Sequence, residues 1–312
     1  MAERIDFNQV KTEANGRWTG ILESLGIKVG DGNHTECPIC QKVKFRYDDK
    51  GRGCWICVCG AGDGWKLITE VLNVDFVTAV EMVVPLIGVV EKTSLNPEKK
   101  TISKEKARKI FDGAVRAAHE NPAGLYLRNR GLIACPETLW YHPAMFHVKA
   151  RASFPALVAC VTNKGGQVSN LHQTFLTLAG AKANVKEPKM LTYNFDKIDI
   201  TGRAIRLFPP EHGCIGIAEG IETALACYEA HGIPTWATTS ANWMIGWEPP
   251  EGIPIRKVYI FGDNDTSYTG QSAAYQLANK LTVRRKVEVE VLLPGKIGTD
   301  WLDEFVAREK AA

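Results

Sequence analysis

Five of the nine cysteines, Cys37, Cys40, Cys54, Cys57 and Cys59, fall within a span of 23 residues. Thiols so crowded are metal ligands rather than a disulfide framework, and tetrahedral zinc takes two pairs of them from tight turns joined by a short β excursion. Cys37 and Cys40 in HTECPIC form the first pair, and sixteen residues separate Cys40 from Cys57. The second pair is either Cys57 with Cys59 or Cys54 with Cys57. His34 is an alternative ligand or a donor behind the ligands.

A second group of residues suits a harder cation. The apolar runs in GIAEG and VYIFGDND end in Glu219 and in Asp263 and Asp265, and GTDWLDEF adds Asp300 and Asp303 after VEVEVLLP. Open α/β sheets place their sites at the C-terminal ends of strands. Asp263 and Asp265 are two apart, so in extended backbone they share a face. Converging carboxylates repel unless they share a cation, and oxygen ligands suit Mg²⁺ or Mn²⁺. The chemistry expected is metal-dependent phosphoryl transfer, although Asp300 or Asp303 can also serve as a helix cap.

The elements that must carry these groups follow from periodicity. Apolar residues recur at helical spacing from Trp65 to Val90, and a polar, lysine-rich stretch after them reads as a linker entering a helix near Ser103. Residues 108–132 have a helical pattern, and FPALVACV and QVSNLHQTFL flank NKGG as a hairpin over 154–176. After Glu211 the chain alternates strand and helix, which argues a mainly parallel sheet wrapped by helices.

With 312 residues, 45 % of them hydrophobic and 23 % charged, the chain has the length of about two globular domains. Its longest apolar stretch, 79–90, contains Glu81 and Pro85, so neither a membrane span nor a secretory leader is expected, and the free thiols suit a reducing cytoplasm. Net charge is uneven: −2 over residues 1–92, +10 over 93–210 and −5 over 211–312. A basic middle beside an acidic end suggests a polyanion held next to a cation site.

Taken together the motifs are familiar. HTECPIC, FRYDDKGRGCWIC and CGAGDG resemble the zinc-ribbon module of phage and plasmid DNA primases, and GIAEGIETALA, FGDND and GTDWLDEF resemble a TOPRIM domain. YLRNRGL, FPALVACV, LHQTFL, KANVKEPKML and AIRLFPP resemble the N-terminal part of the primase core, so the resemblance spans roughly residues 20–307. One departure is Cys57-Val58-Cys59, a residue shorter than the family's second Cys-x2-Cys pair, with Cys54 extra.

The resemblance implies a multidomain α/β and α+β chain. Residues 1–92 would form a zinc-ribbon domain that recognises template, 93–210 the basic N-terminal part of the core, and 211–312 the TOPRIM catalytic domain. It implies synthesis of short RNA primers on single-stranded DNA from NTPs, with a structural Zn²⁺ and catalytic Mg²⁺ or Mn²⁺ on Glu219, Asp263 and Asp265 and a further aspartate, Asp300 or Asp303. Arg128, Arg130, His172, Lys182 and Lys189 lie in family-like motifs and would hold template or triphosphate. The 99–109 lysine run reads as charged linker and solvated helix face. Arg46, Tyr47 and Trp55 would contact template near the zinc, and Tyr126, Trp140 and Phe175 are aromatics that stack on bases or pack in the core. No Gly-x4-Gly-Lys-Ser/Thr loop occurs, so a separate replicative helicase and polymerase would be the partners, in a bacterial cytoplasm as for a phage- or plasmid-encoded protein, with no membrane involved. A TOPRIM-type nuclease or topoisomerase-like enzyme, and a non-catalytic zinc-dependent DNA-binding replication protein, are the alternatives.

Overall fold

Alternation in FRYD, with Phe45 and Tyr47 buried and Arg46 exposed, sets one wall of the first core. The computed structural model describes residues 7–30, 32–91 and 101–311, in two units, Met1–Lys99 and Lys100–Ala312. Lys99 and Lys100 of the lysine run lie outside the described residues, as do the side chains of Lys104 and Lys106.

The first unit contains α1 (Phe7–Ala14), α2 (Trp18–Ser24), β1 (His34–Thr35), β2 (Phe45–Asp48), β3 (Cys54–Cys57), β4 (Gly60–Gly62), α3 (Gly64–Leu72) and α4 (Phe76–Ile87). The four strands form an antiparallel sheet in sequence order. Asp63 caps α3 by accepting the Lys66 N–H, and Asp75 caps α4 by accepting that of Thr78. Trp18 meets Trp65 edge to face at 4.8 Å above Ile21, Leu22, Leu67 and Ile68. Tyr47 and Trp55 are 3 % exposed, so both belong to this core and not to a template-binding face. Arg46, Ile56 and Val58 are the outward residues.

The second unit contains β5 (Thr101–Ile102), α5 (Lys104–Phe111), β6 (Val115–Arg116), α6 (Pro122–Asn129), β7 (Leu139–His147), β8 (Ala152–Thr162), β9 (Val168–Phe175), β10 (Lys189–Leu191), β11 (Asn194–Phe195) and β12 (Ala204–Ile205). It continues through β13 (Cys214–Ala218), α7 (Ile221–His231), β14 (Thr235–Ala237), α8 (Ala241–Gly246), β15 (Lys257–Phe261), α9 (Thr269–Lys280), a π-turn over Leu281–Arg285, β16 (Glu288–Leu292) and α10 (Trp301–Ala311). Eight strands run in the order β10-β9-β8-β12-β14-β13-β15-β16, with β7 on β8 and β6 on β7. The expected hairpin is β8 and β9, and β14, β13, β15 and β16 are the parallel part. Because β12 pairs with both β8 and β14, one sheet joins the segments on either side of residue 210.

The helical pattern over 108–132 is divided in two. Gly113 at φ 86° ends the turn after α5, β6 intervenes, and Asn121 starts α6 afresh by accepting the Ala123 and Gly124 N–H groups with Pro122 at the first helical position. Tyr126 and Phe175 are buried in the cores, and Trp140 lies under the Arg116 guanidinium at 3.8 Å, so these rings have packing partners. Among the described residues, no helix is long and apolar enough to cross a membrane.

Gly64 opens α3 directly against Trp18, and a Cβ there would lie 2.1 Å from Trp18 Cε3. Gly64→Ala is expected to lower stability by about 1–3 kcal/mol, because the indole is locked in a packed core. Gly88→Ala, where a Cβ meets nothing within 4 Å, should unfold at the wild-type temperature or slightly above it. Thermal unfolding of the two variants followed by circular dichroism checks the contrast.

Candidate functional site

The sulfurs of Cys37, Cys40, Cys57 and Cys59 lie within 4.8 Å of one another, with Cys37 and Cys59 at 3.6 Å and Cys40 and Cys57 at 3.7 Å. A tetrahedral zinc with Zn–S bonds of about 2.3 Å requires sulfurs about 3.8 Å apart, so the four thiols fit a structural Zn²⁺. Strand geometry decides the set: Cys54 and Cys57 are three apart on β3 and face opposite sides, whereas Val58 sits in the turn that brings Cys59 round beside Cys57. Cys54 and His34 stand outside the set.

The acidic residues are placed by strand register. Ala218 is level with Ala237 and Phe261, and Phe261 with Leu292, so the chain leaves β13, β14, β15 and β16 at one height. Glu219, Thr239 and Asp263 follow the first three of those ends. The loop after β16 is fastened to the loop after β15 by Asn264: its N–H donates to Thr299 O, its Nδ2 to Pro294 O, and its carbonyl accepts the Gly298 N–H. Asp300 is thereby brought beside Asp263, and Glu219, Asp263 and Asp300 line one cleft of about 280 Å³.

Burial, with Asp265 adding to it, raises the Glu219 carboxyl above the usual range, and the Lys189 ammonium works against both. Burial together with Glu219, Asp300 and Asp265 pushes Asp263 up to about 7, and its Oδ1 is buried without a hydrogen-bond partner. Oxygen donors of this kind suit Mg²⁺ or Mn²⁺, which bind through one or two carboxylates, retained waters and substrate phosphate. Asp265 lies close enough to act on Glu219, but one of its oxygens accepts the Gly270 N–H at the start of α9. Asp303 is engaged in a capping box on α10, in which Asp300 Oδ1 accepts its N–H and Asp303 Oδ2 accepts that of Asp300.

Arg130, His172, Lys182 and Lys189 line the same cleft. Arg130 Nε, His172 Nδ1 and Thr239 Oγ1 are buried and unpartnered within the protein. Thr239 holds a left-handed conformation, φ 65°, unusual for a β-branched residue. Burial and the Lys189 ammonium together depress His172 to about 4 and lower Lys182. Arg128 is turned away, its Nη2 donating to His119 O.

Three cleft features escaped the sequence reading: Glu222, Thr239 and the Asn264 fastening. Glu222 had a visible signal, since it follows Glu219 by three residues in EGIE. Thr239 had none, its backbone conformation being set by the chain reversal after β14.

One zinc per chain is expected, retained in Cys54→Ser and reduced to less than half an equivalent in Cys59→Ser. Elemental analysis of the purified variants after dialysis against a weak chelator measures this directly.

Comparison with known families agrees with the order of these sites. The zinc-binding domain of primase-helicase matches residues 32–65, the Toprim domain matches residues 214–311, and a domain of unknown function, DUF7146, matches 101–202 between them. Among solved structures, the chain is similar to the zinc-binding and RNA polymerase domains of the Aquifex aeolicus primase, at 16 % identity over 98 % of this chain and 83 % of that one, with a TM-score of 0.44. It is also similar to the primase fragment of the bacteriophage T7 primase-helicase protein, at 11 % identity over 89 % and 96 %, with a TM-score of 0.42. The chain thus carries an N-terminal segment similar to the zinc-binding domain of primase-helicase and a C-terminal Toprim domain.

Proposed function

We propose that this chain is a DNA primase that joins ribonucleotides into short primers on a single-stranded DNA template. The observation that carries the reading is the cleft that Glu219, Asp263 and Asp300 line together with Arg130, His172, Lys182 and Lys189. Glu219 and Asp263, with Asp265 and Asp300 beside them, would hold divalent cations. When bound, such cations supply Lewis acidity to an attacking 3′ hydroxyl and to the phosphates that leave.

The remaining work falls to side chains of the chain itself. Lys182, Lys189 and Arg130 meet the negative charge of a triphosphate and fix its place relative to the carboxylates. His172 is neutral at physiological pH, so it offers a hydrogen-bonding nitrogen without adding charge. Positioning between these charged groups is sufficient for this chemistry, and no protein nucleophile is required.

Template selection is assigned to the zinc ribbon. Its segment has a net charge of −2, so it reads DNA through a few outward groups, Arg46 among them, while the basic middle holds the backbone without regard to sequence. A separate helicase and polymerase would supply the unwound template and extend the product.

Incubation with single-stranded DNA, labelled NTPs and Mg²⁺ tests the reading: short RNA is expected, shortened DNA would mean a nuclease, and neither would mean a binding protein. Glu219→Gln, Asp263→Asn and Asp265→Asn should each lower synthesis on the order of a hundredfold or more, as for groups that act mainly in the transition state. Asp303→Asn should leave synthesis near the wild-type rate and cost about 1 kcal/mol of stability through its cap.

A further inference from the structure

Glu222 is 5 % exposed, in the first turn of α7, three residues after Glu219. Side-chain geometry separates the two glutamates. Glu222 Oε2 accepts from Lys189 Nζ at 2.8 Å, and Oε1 accepts from the buried hydroxyl of Tyr126 on α6. Both oxygens are occupied, and each partner comes from a different element.

We propose that Tyr126 and Glu222 are positioning residues that fix the Lys189 ammonium as a phosphate-binding group in the cleft, and that Glu222 is not a metal ligand. The inference deepens the primase reading and rests on it. Lysine is a flexible stem with a point charge, and in a cleft that also holds Glu219 and Asp263 an untethered ammonium would fold onto those carboxylates. Glu222 prevents this by taking one of the three N–H donors, which leaves two for substrate. A buried carboxylate is itself stable only when paired and hydrogen-bonded. Tyr126 supplies the second bond and ties α6 to α7, so the lysine is held from both halves of the unit. Burial disfavours the charged form of Glu222, yet Lys189 and Tyr126 together hold its carboxyl at about 2, a charged partner throughout the working pH range.

The test is equilibrium binding of Mg²⁺-ATP and, separately, of Mn²⁺ followed by electron paramagnetic resonance, on the full chain. Glu222→Gln should weaken nucleotide binding about tenfold or more, as for loss of a charge-assisted hydrogen bond, with Mn²⁺ affinity unchanged. In a Lys189→Ala background the same substitution should add nothing, because Glu222 acts through the lysine. Tyr126→Phe should shift nucleotide binding in the same direction by less, and it serves if Glu222→Gln fails to fold by circular dichroism. Wild-type nucleotide affinity in Glu222→Gln, additive losses in the double variant, or a loss of Mn²⁺ matching that of Glu219→Gln would each overturn the proposal while leaving the synthesis reading in place. A wild-type chain that bound no nucleotide would overturn both.

Discussion

Like charges held partly out of water are the constraint around which the second unit is arranged. Burial, with Glu219 and Asp300 adding to it, raises the affinity of Asp263 for protons, and burial with the Lys189 ammonium lowers that of Lys182 and His172. Neither wall is comfortable alone, because burial penalises every charge that lacks a partner. Set across one cleft, each wall offsets part of the other's cost. The residual deficit, an unpartnered Asp263 oxygen and unpartnered donors on Arg130 and His172, is what a cation and a phosphate would fill. Sheet register and the Asn264 fastening set the acidic groups in place, and the contact of Glu222 with Lys189 fixes one of the basic groups.

The zinc module solves a different problem. Its short strands bury few side chains, and its core is closed instead by Trp18 and Trp65 from the flanking helices. Crowded thiols over so small a sheet are stable as a metal cage and much less so as free groups, since binding energy is then part of folding energy. The alternation that buries Tyr47 and Trp55 leaves Arg46 and Ile56 outward, so the ring systems share a core with Cys37, Cys40 and Cys57.

Much of this was legible in the residues. Strand, helix and turn signals after Glu211 are strong because most elements are bounded by glycine or proline and each apolar run is short, so the acidic strand ends are legible in the residues alone. The first zinc pair was equally plain. What stayed hidden depends on packing between distant segments. Choosing Cys59 over Cys54 needs the facing of β3, and the split of 108–132 needs the positive φ at Gly113. Tyr126 reads in sequence as a core residue or a base-stacking ring, and its hydroxyl's partner, Glu222, lies 96 residues away. The capping role of Asp303 is local and was foreseen as one of two possibilities, which the reciprocal bonds with Asp300 distinguish.

The Asn264 fastening has a consequence for how the fold tolerates alteration. Since the loops after β15 and β16 are bonded directly, the spacing between Asp263 and Asp300 does not depend on the chain that joins them. That chain runs down α9, through the π-turn at Leu281–Arg285, and back up β16, so its turn lies at the end of the strands remote from the cleft. Val283 is exposed there, as are Arg284 and Arg285. Loop-closure entropy grows only slowly with length, so added residues at this point would weigh little on the cleft. The π-turn is accordingly a natural point for grafting a fluorophore or a surface anchor, giving a reporter that senses the molecule without touching its chemistry.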